Sequence, residues 1–124
     1  MKAVFVETRS FTNLVKEYFA DDADYQEFQM MLLEHPEKGD VIQGCGGLRK
    51  VRWRDVKRRK GARGGLRIIY LHVPEISRFL LLDVYNKDEA DDLTKEERKF
   101  LADLADEYRI EALDTNSGRR KRKR

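Results

Sequence analysis

The chain has 124 residues, 40% of them apolar and 40% charged, with a formal net charge of +3. That length holds one domain, and the apolar share is enough for one compact core. No apolar run approaches the roughly 18 residues of a membrane helix, the start MKAVFVETRSF does not resemble a secretory signal, and one cysteine with two histidines supplies neither an internal disulfide nor a metal-ligand set. No cofactor is expected. Cys45 reads as a small turn residue between glycines, and the compartment as a reducing cytosol.

Val4 to Glu7 is predicted to form a first strand. Ser10 or Thr12 is expected to cap a short helix whose Phe11, Leu14, Val15, Tyr18 and Phe19 recur at helical spacing. Asp21 or Asp22 opens a second helix with Tyr25, Phe28, Met31 and Leu32 on one side. It must stop before Pro36, and Gly39 fits a helix end. From Val41 the period changes. Leu48 to Arg54 alternates, so Lys50, Arg52 and Arg54 share one strand face while Val51 and Trp53 share the other. Asp55 to Gly65 is polar, basic and glycine-containing, as expected of a flexible hairpin loop. Leu66 to Val73 and Arg78 to Tyr85 are the next strands, the last a nearly continuous apolar run suited to the middle of a sheet.

Thr94 and Glu97 form a capping box, and the helix they open carries Phe100, Leu101, Leu104, Ala105 and Tyr108 on one stripe. The fold class is therefore α+β. We expect a small antiparallel, twisted sheet with two N-terminal helices and a C-terminal helix, the helices on one face and the other face open. Residues 1–113 make the domain, and 114–124, ending GRRKRKR, a basic flexible tail.

Charge is distributed unevenly. Residues 49–67 hold ten Lys/Arg and a single acid, Asp55. Residues 1–40 hold nine Asp/Glu against four Lys/Arg, and residues 83–114 hold twelve against five. A basic strip between acidic flanks is an electrostatic footprint for a polyanion, most commonly nucleic acid. The cations of the strip and its loop, Arg49, Arg54, Lys57, Arg58, Arg59, Lys60 and Arg63, are the candidate RNA-binding residues.

An open face with Lys50, Arg52 and Arg67 would bring several cations to one phosphate. RNA cleavage without a metal requires an activated 2′-OH, a stabilised five-coordinate phosphorus and a protonated leaving oxygen. Clustered cations can supply all three, because positive neighbours lower a lysine's pKa and arginine stabilises developing charge. His35 and His72 read as structural or surface residues.

The runs GCGGLRKVRW, GARGGLRIIYLHV and LLDVYNKDEADDLTKEE, in that order over roughly residues 41–97, resemble the RelE/ParE superfamily of bacterial toxins, in its HigB-type branch. The resemblance implies the toxin of a type II toxin–antitoxin pair: a RelE-like fold and a metal-independent, ribosome-dependent mRNA endonuclease (mRNA interferase) that inhibits translation. The implied partners are a cognate helix-turn-helix antitoxin of the HigA type, the ribosome and mRNA, with operator DNA reached only through the antitoxin complex. No membrane is involved, and the implied location is cytoplasmic.

Carried over by motif, Lys50 and Arg52 match the paired strand cations of the family, Arg67 its phosphate-stabilising arginine, and Lys87 the lysine after its last strand. Two positions depart from the pattern. Asp88 stands where RelE has an arginine, and the tyrosine RelE places near its carboxyl end has no direct counterpart, leaving Tyr70 and Tyr85 as substitutes. The catalytic set the resemblance implies is Lys50, Arg52, Arg67, Lys87 and Tyr70. Each has a plainer reading: Lys50, Arg52 and Arg67 position RNA without doing chemistry, Lys87 pairs with Asp88 or Glu89 on the surface, and Tyr70 is a core residue. Two competing functions share these features, a ParE-like toxin that inhibits gyrase and a non-enzymatic module that binds ribosomal RNA.

Overall fold

The computed structural model describes residues 3–90 and 92–117. In chain order the elements are β1 (Val4–Glu7), α1 (Arg9–Tyr18), α2 (Asp22–Glu34), β2 (Asp40–Val41), β3 (Arg49–Trp53), β4 (Leu66–Val73), a 3-10 turn (Pro74–Ile76), β5 (Arg78–Asn86) and α3 (Lys95–Ser117). The backbone of α3 thus continues past Leu113. Residues 118–124 of the expected tail lie outside the described residues.

The sheet has five strands in the order β1-β5-β4-β3-β2. Four pair antiparallel as expected, but β1 adds to the edge of β5 in parallel, Val4 beside Arg78 and Glu7 beside Leu81. The sheet is therefore mixed. β2 is only two residues long, too short to leave an alternating pattern in the sequence.

Local signals explain most helix ends. Thr94 and Glu97 exchange the two hydrogen bonds of a capping box, Glu97 N to Thr94 Oγ1 at 3.0 Å and Thr94 N to Glu97 Oε1 at 2.8 Å. Asp21 caps α2 by accepting from Asp24 N at 2.8 Å. The cap of α1 is Thr8 rather than Ser10 or Thr12: its extended backbone lets Oγ1 accept from Phe11 N at 3.1 Å. Gly39 ends no helix, since α2 stops at Glu34. It lets the chain pass over a buried ring, because a Cβ there would lie 2.9 Å from Tyr70 Cε1.

The helices do not share one face. Phe11, Phe19, Phe28 and Leu32 of α1, α2 and their link pack with Val51, Ile68, Tyr70, Phe79 and Leu81 on one side. On the other side Leu101 and Ala105 of α3 pack with Leu48, Ile69, Leu71, Leu80 and Leu82. The near-continuous apolar runs of β4 and β5 demand cover on both faces. Phe100, placed on the buried stripe by its spacing, is 64% exposed, a step around the helix from Leu101. Helix α3 lies toward the Leu71–Ile76 end of its face. The end that carries Arg67 is left uncovered.

Candidate active site

Pleating and register build the uncovered end. Lys50 and Arg52 lie two residues apart on β3 and so share a face. Arg52 pairs across the ladder with Arg67 of β4, and Arg67 with Tyr85 of β5. Lys50, Arg52 and Arg67 border a cleft of about 710 Å³ lined also by Lys38, Asp40 and Lys87, with Val51 and Ala62. Four of the five residues expected to be catalytic meet here.

Arg67 is 6% exposed. Its guanidinium donates to the carbonyls of Ala62 at 3.1 Å, Leu66 at 3.4 Å and Arg63 at 2.8 Å. Burial lowers its pKa first, the neighbouring Arg52 charge lowers it further, and Tyr85 acts in the opposite direction. An arginine so shifted still carries its charge. Among the described residues no carboxylate forms an ion pair with Arg67, Arg52 or Lys87. Three cations therefore face the cleft outside any ion pair among the described residues. Lys50 reaches Asp92 at 3.3 Å, and Asp92 also lies 3.8 Å from Arg98.

Tyr70 is not part of this cleft. It projects from the opposite face, fully buried, where its hydroxyl donates to Pro36 O at 2.8 Å and accepts from Gly39 N at 3.0 Å. Both capacities of the phenol are occupied by backbone, so it anchors the loop that brings Lys38 and Asp40 to the cleft. Tyr85 is the tyrosine on the cation face, 9% exposed, its hydroxyl without a partner among the described residues. Burial, then Asp92 and Asp83, push its pKa up to about 12. Neither histidine lines the cleft, and His72 stacks on Phe79 at 4.6 Å on the far side.

The basic strip divides on folding. Arg49 donates to Gly39 O at 2.7 Å and approaches Glu37 at 3.9 Å. Arg54 pairs with Asp24 at 2.9 Å and Glu27 at 2.7 Å and lies over the Trp53 ring, tying β3 to α2. Lys57 Nζ donates to the carbonyls of Lys16 and Glu17 near the end of α1, at 2.9 and 2.8 Å. Arg58 bridges Asp55 at 2.8 Å and Asp88 at 2.7 Å. Among the described residues, only Arg59, Lys60 and Arg63 of the candidate RNA-binding set are exposed with side chains in neither an ion pair nor a hydrogen bond.

Nor is the β3–β4 loop loosely built. Asp55 and Lys60 exchange backbone hydrogen bonds at 2.8 and 2.9 Å, around an Asp55 that is 2% exposed. Gly65 closes the loop, where a Cβ would stand 2.4 Å from Trp53 O and 2.6 Å from Gly61 O. Two cleft residues escape the sequence reading altogether, Lys38 and Asp40. Asp40 is placed by its pairing with Lys50, so that both side chains share the cation face.

Among solved structures, the chain is similar to a double arginine-to-alanine mutant of the E. coli toxin RelE in the free state, with a TM-score of 0.51 and 13% identity over 73% of this chain and 90% of that one. At that identity the likeness is one of fold. The fold is RelE-like, with two N-terminal helices, a five-stranded mixed sheet and a C-terminal helix. No family model matches the chain.

Proposed function

We propose that this chain is the toxin of a type II toxin–antitoxin pair, of the HigB-type branch, and that it cleaves mRNA on the ribosome without a metal. The observation that carries this reading is the cleft: Lys50, Arg52, Arg67 and Lys87 converge from two strands and the turn after β5, on a RelE-like fold. Arginines that donate in a fixed fork suit a phosphate whose charge grows as the 2′-oxygen attacks. A lysine ammonium can give a proton to the departing 5′-oxygen. Five cations against one carboxylate form a donor set that repels a divalent ion and attracts an RNA backbone.

The partners that go with this reading are mRNA in the ribosome and a helix-turn-helix antitoxin, with operator DNA engaged only through that antitoxin. The cytoplasm is where these meet. No described helix is long and apolar enough to cross a membrane.

Primer extension on a reporter message tests the reading. Cuts should appear only while the message is translated, and should survive EDTA treatment of the purified toxin before it is added to ribosomes kept in magnesium. Gyrase-linked DNA breaks with intact mRNA would replace it with the ParE-like function. Translation arrest with intact RNA would replace it with ribosomal occlusion.

A further inference from the structure

We infer that Asp40 is the general base of the cleft, taking the proton from the attacking ribose hydroxyl. The inference rests on the nuclease reading above and gives the proton-accepting role to a carboxylate in place of the lysine that the sequence suggested. A protonated lysine or an arginine has donors only, with no lone pair to accept a proton. Asp40 is the single carboxylate among the cleft's lining residues. It is exposed, and no ion pair or side-chain hydrogen bond engages it among the described residues. Its cross-strand neighbour Lys50 turns to Asp92, which lines an adjoining cavity and is held by Arg98 and the Leu93 amide as well.

The order of the strands gives the arrangement a direction. Asp40 stands on β2 at one edge, Lys50 and Arg52 on β3, Arg67 on β4, and Lys87 just past the end of β5 on the other side. A phosphate held between Arg52 and Arg67 would have the carboxylate toward one flank and the unpaired ammonium toward the other. In-line displacement needs a base and an acid on opposite sides of phosphorus. In the step, an Asp40 oxygen accepts the 2′-OH proton and the 2′-oxygen pair forms the O2′–P bond. The P–O5′ bond breaks with its electron pair on the 5′-oxygen, which takes a proton from Lys87. The products are a 2′,3′-cyclic phosphate and a 5′-hydroxyl.

Charge makes the test decisive in sign. If Asp40 were merely an acid on the rim, neutralising it would remove repulsion and speed both binding and cleavage. As the base, Asp40→Asn should bind ribosome-held mRNA as tightly or more tightly, yet lose about 10²–10⁴ in single-turnover rate. Asp40→Glu should keep part of the activity. Asp40→Ala should recover with added formate, which a purely structural role would not allow. An Asn variant cutting at the wild-type rate, or an Ala variant deaf to formate, removes the base assignment alone. A wild-type chain that cuts no RNA removes the nuclease reading with it.

Discussion

Arg52 and Arg67 stand directly opposite each other on adjacent antiparallel strands, and the charge of the first helps lower the pKa of the second. Like charges so placed oppose folding by roughly 0.2–1 kcal/mol. An anion bound between the two would offset that cost. Arg52→Gln should therefore raise the denaturation midpoint slightly while reducing cleavage. Urea titration and single-turnover rates on one preparation would check this. A variant both less stable and equally active would contradict it.

Arg67→Ala should abolish growth arrest on induction, since removing one donor to a developing oxyanion costs about 10²–10³ in rate. The same change removes the hydrogen bonds that Arg67 gives to the carbonyls of Ala62, Arg63 and Leu66, so some loss of stability is expected too. Arg67→Lys separates the effects by keeping the charge and losing the fork. It should remain folded by circular dichroism and still be strongly impaired. Full toxicity of a folded Ala variant would remove Arg67 from the chemistry.

The loop cations should split into two behaviours. Changing Arg59, Lys60 and Arg63 together to Gln should weaken ribosome binding and flatten its salt dependence, with the saturated single-turnover rate nearly unchanged. Arg58→Ala should instead lower the melting temperature, because it strips the buried Asp55 of its partner. Equal loss of affinity from both, with no loss of stability from Arg58→Ala, would return Arg58 to the binding surface.

Asp83 predicts a pH effect on stability. Burial raises its pKa to about 6, with Glu97 and Glu89 adding to the shift and the Val84 amide opposing it. Because the folded state holds this proton more tightly than the unfolded one, the contribution to stability is full below about pH 4 and is lost as pH rises through about 6. Asp83→Asn keeps the acceptor for Val84 N, 3.0 Å away. It should stabilise the protein at pH 7.5, by on the order of 1–3 kcal/mol, and change little near pH 4. Thermal melts at the two pH values suffice. An equal effect at both would contradict the assignment.

A cognate antitoxin that neutralises the cleft should associate quickly and with strong salt dependence. It should present an acidic or amphipathic segment to Lys50, Arg52 and Arg67. Stopped-flow rates that do not change from low to high salt would locate its contact on an apolar surface elsewhere.

What could be read from the chain was local or periodic. The Thr94–Glu97 box lies within one helical turn, and β3 and β4 announce themselves by alternation and β-branched residues. The cation row follows from strand parity, so Lys50, Arg52 and Arg67 were legible as one face. What escaped depends on residues far apart in sequence. Asp24, Glu27 and Asp88 consume Arg54 and Arg58 from distant segments. Asp40 sits in an acidic stretch and joins the cleft only through the register of a two-residue strand. Tyr70 falls out of phase with Arg67 on β4, whereas the side of Tyr85 depended on the irregular register of β4 with β5 and the packing of both faces.

The parallel pairing of β1 with β5 also sets when the molecule can act. Val4 has no strand to join until Arg78 has been synthesised, and Lys87 comes later still. During translation the amino-terminal segment must therefore wait, unpaired, while most of the described chain leaves the ribosome, and such distant contacts form slowly. The cleft is completed only after its last lysine emerges. A nascent copy thus carries no finished cleft while the chain up to Lys87 is still being made.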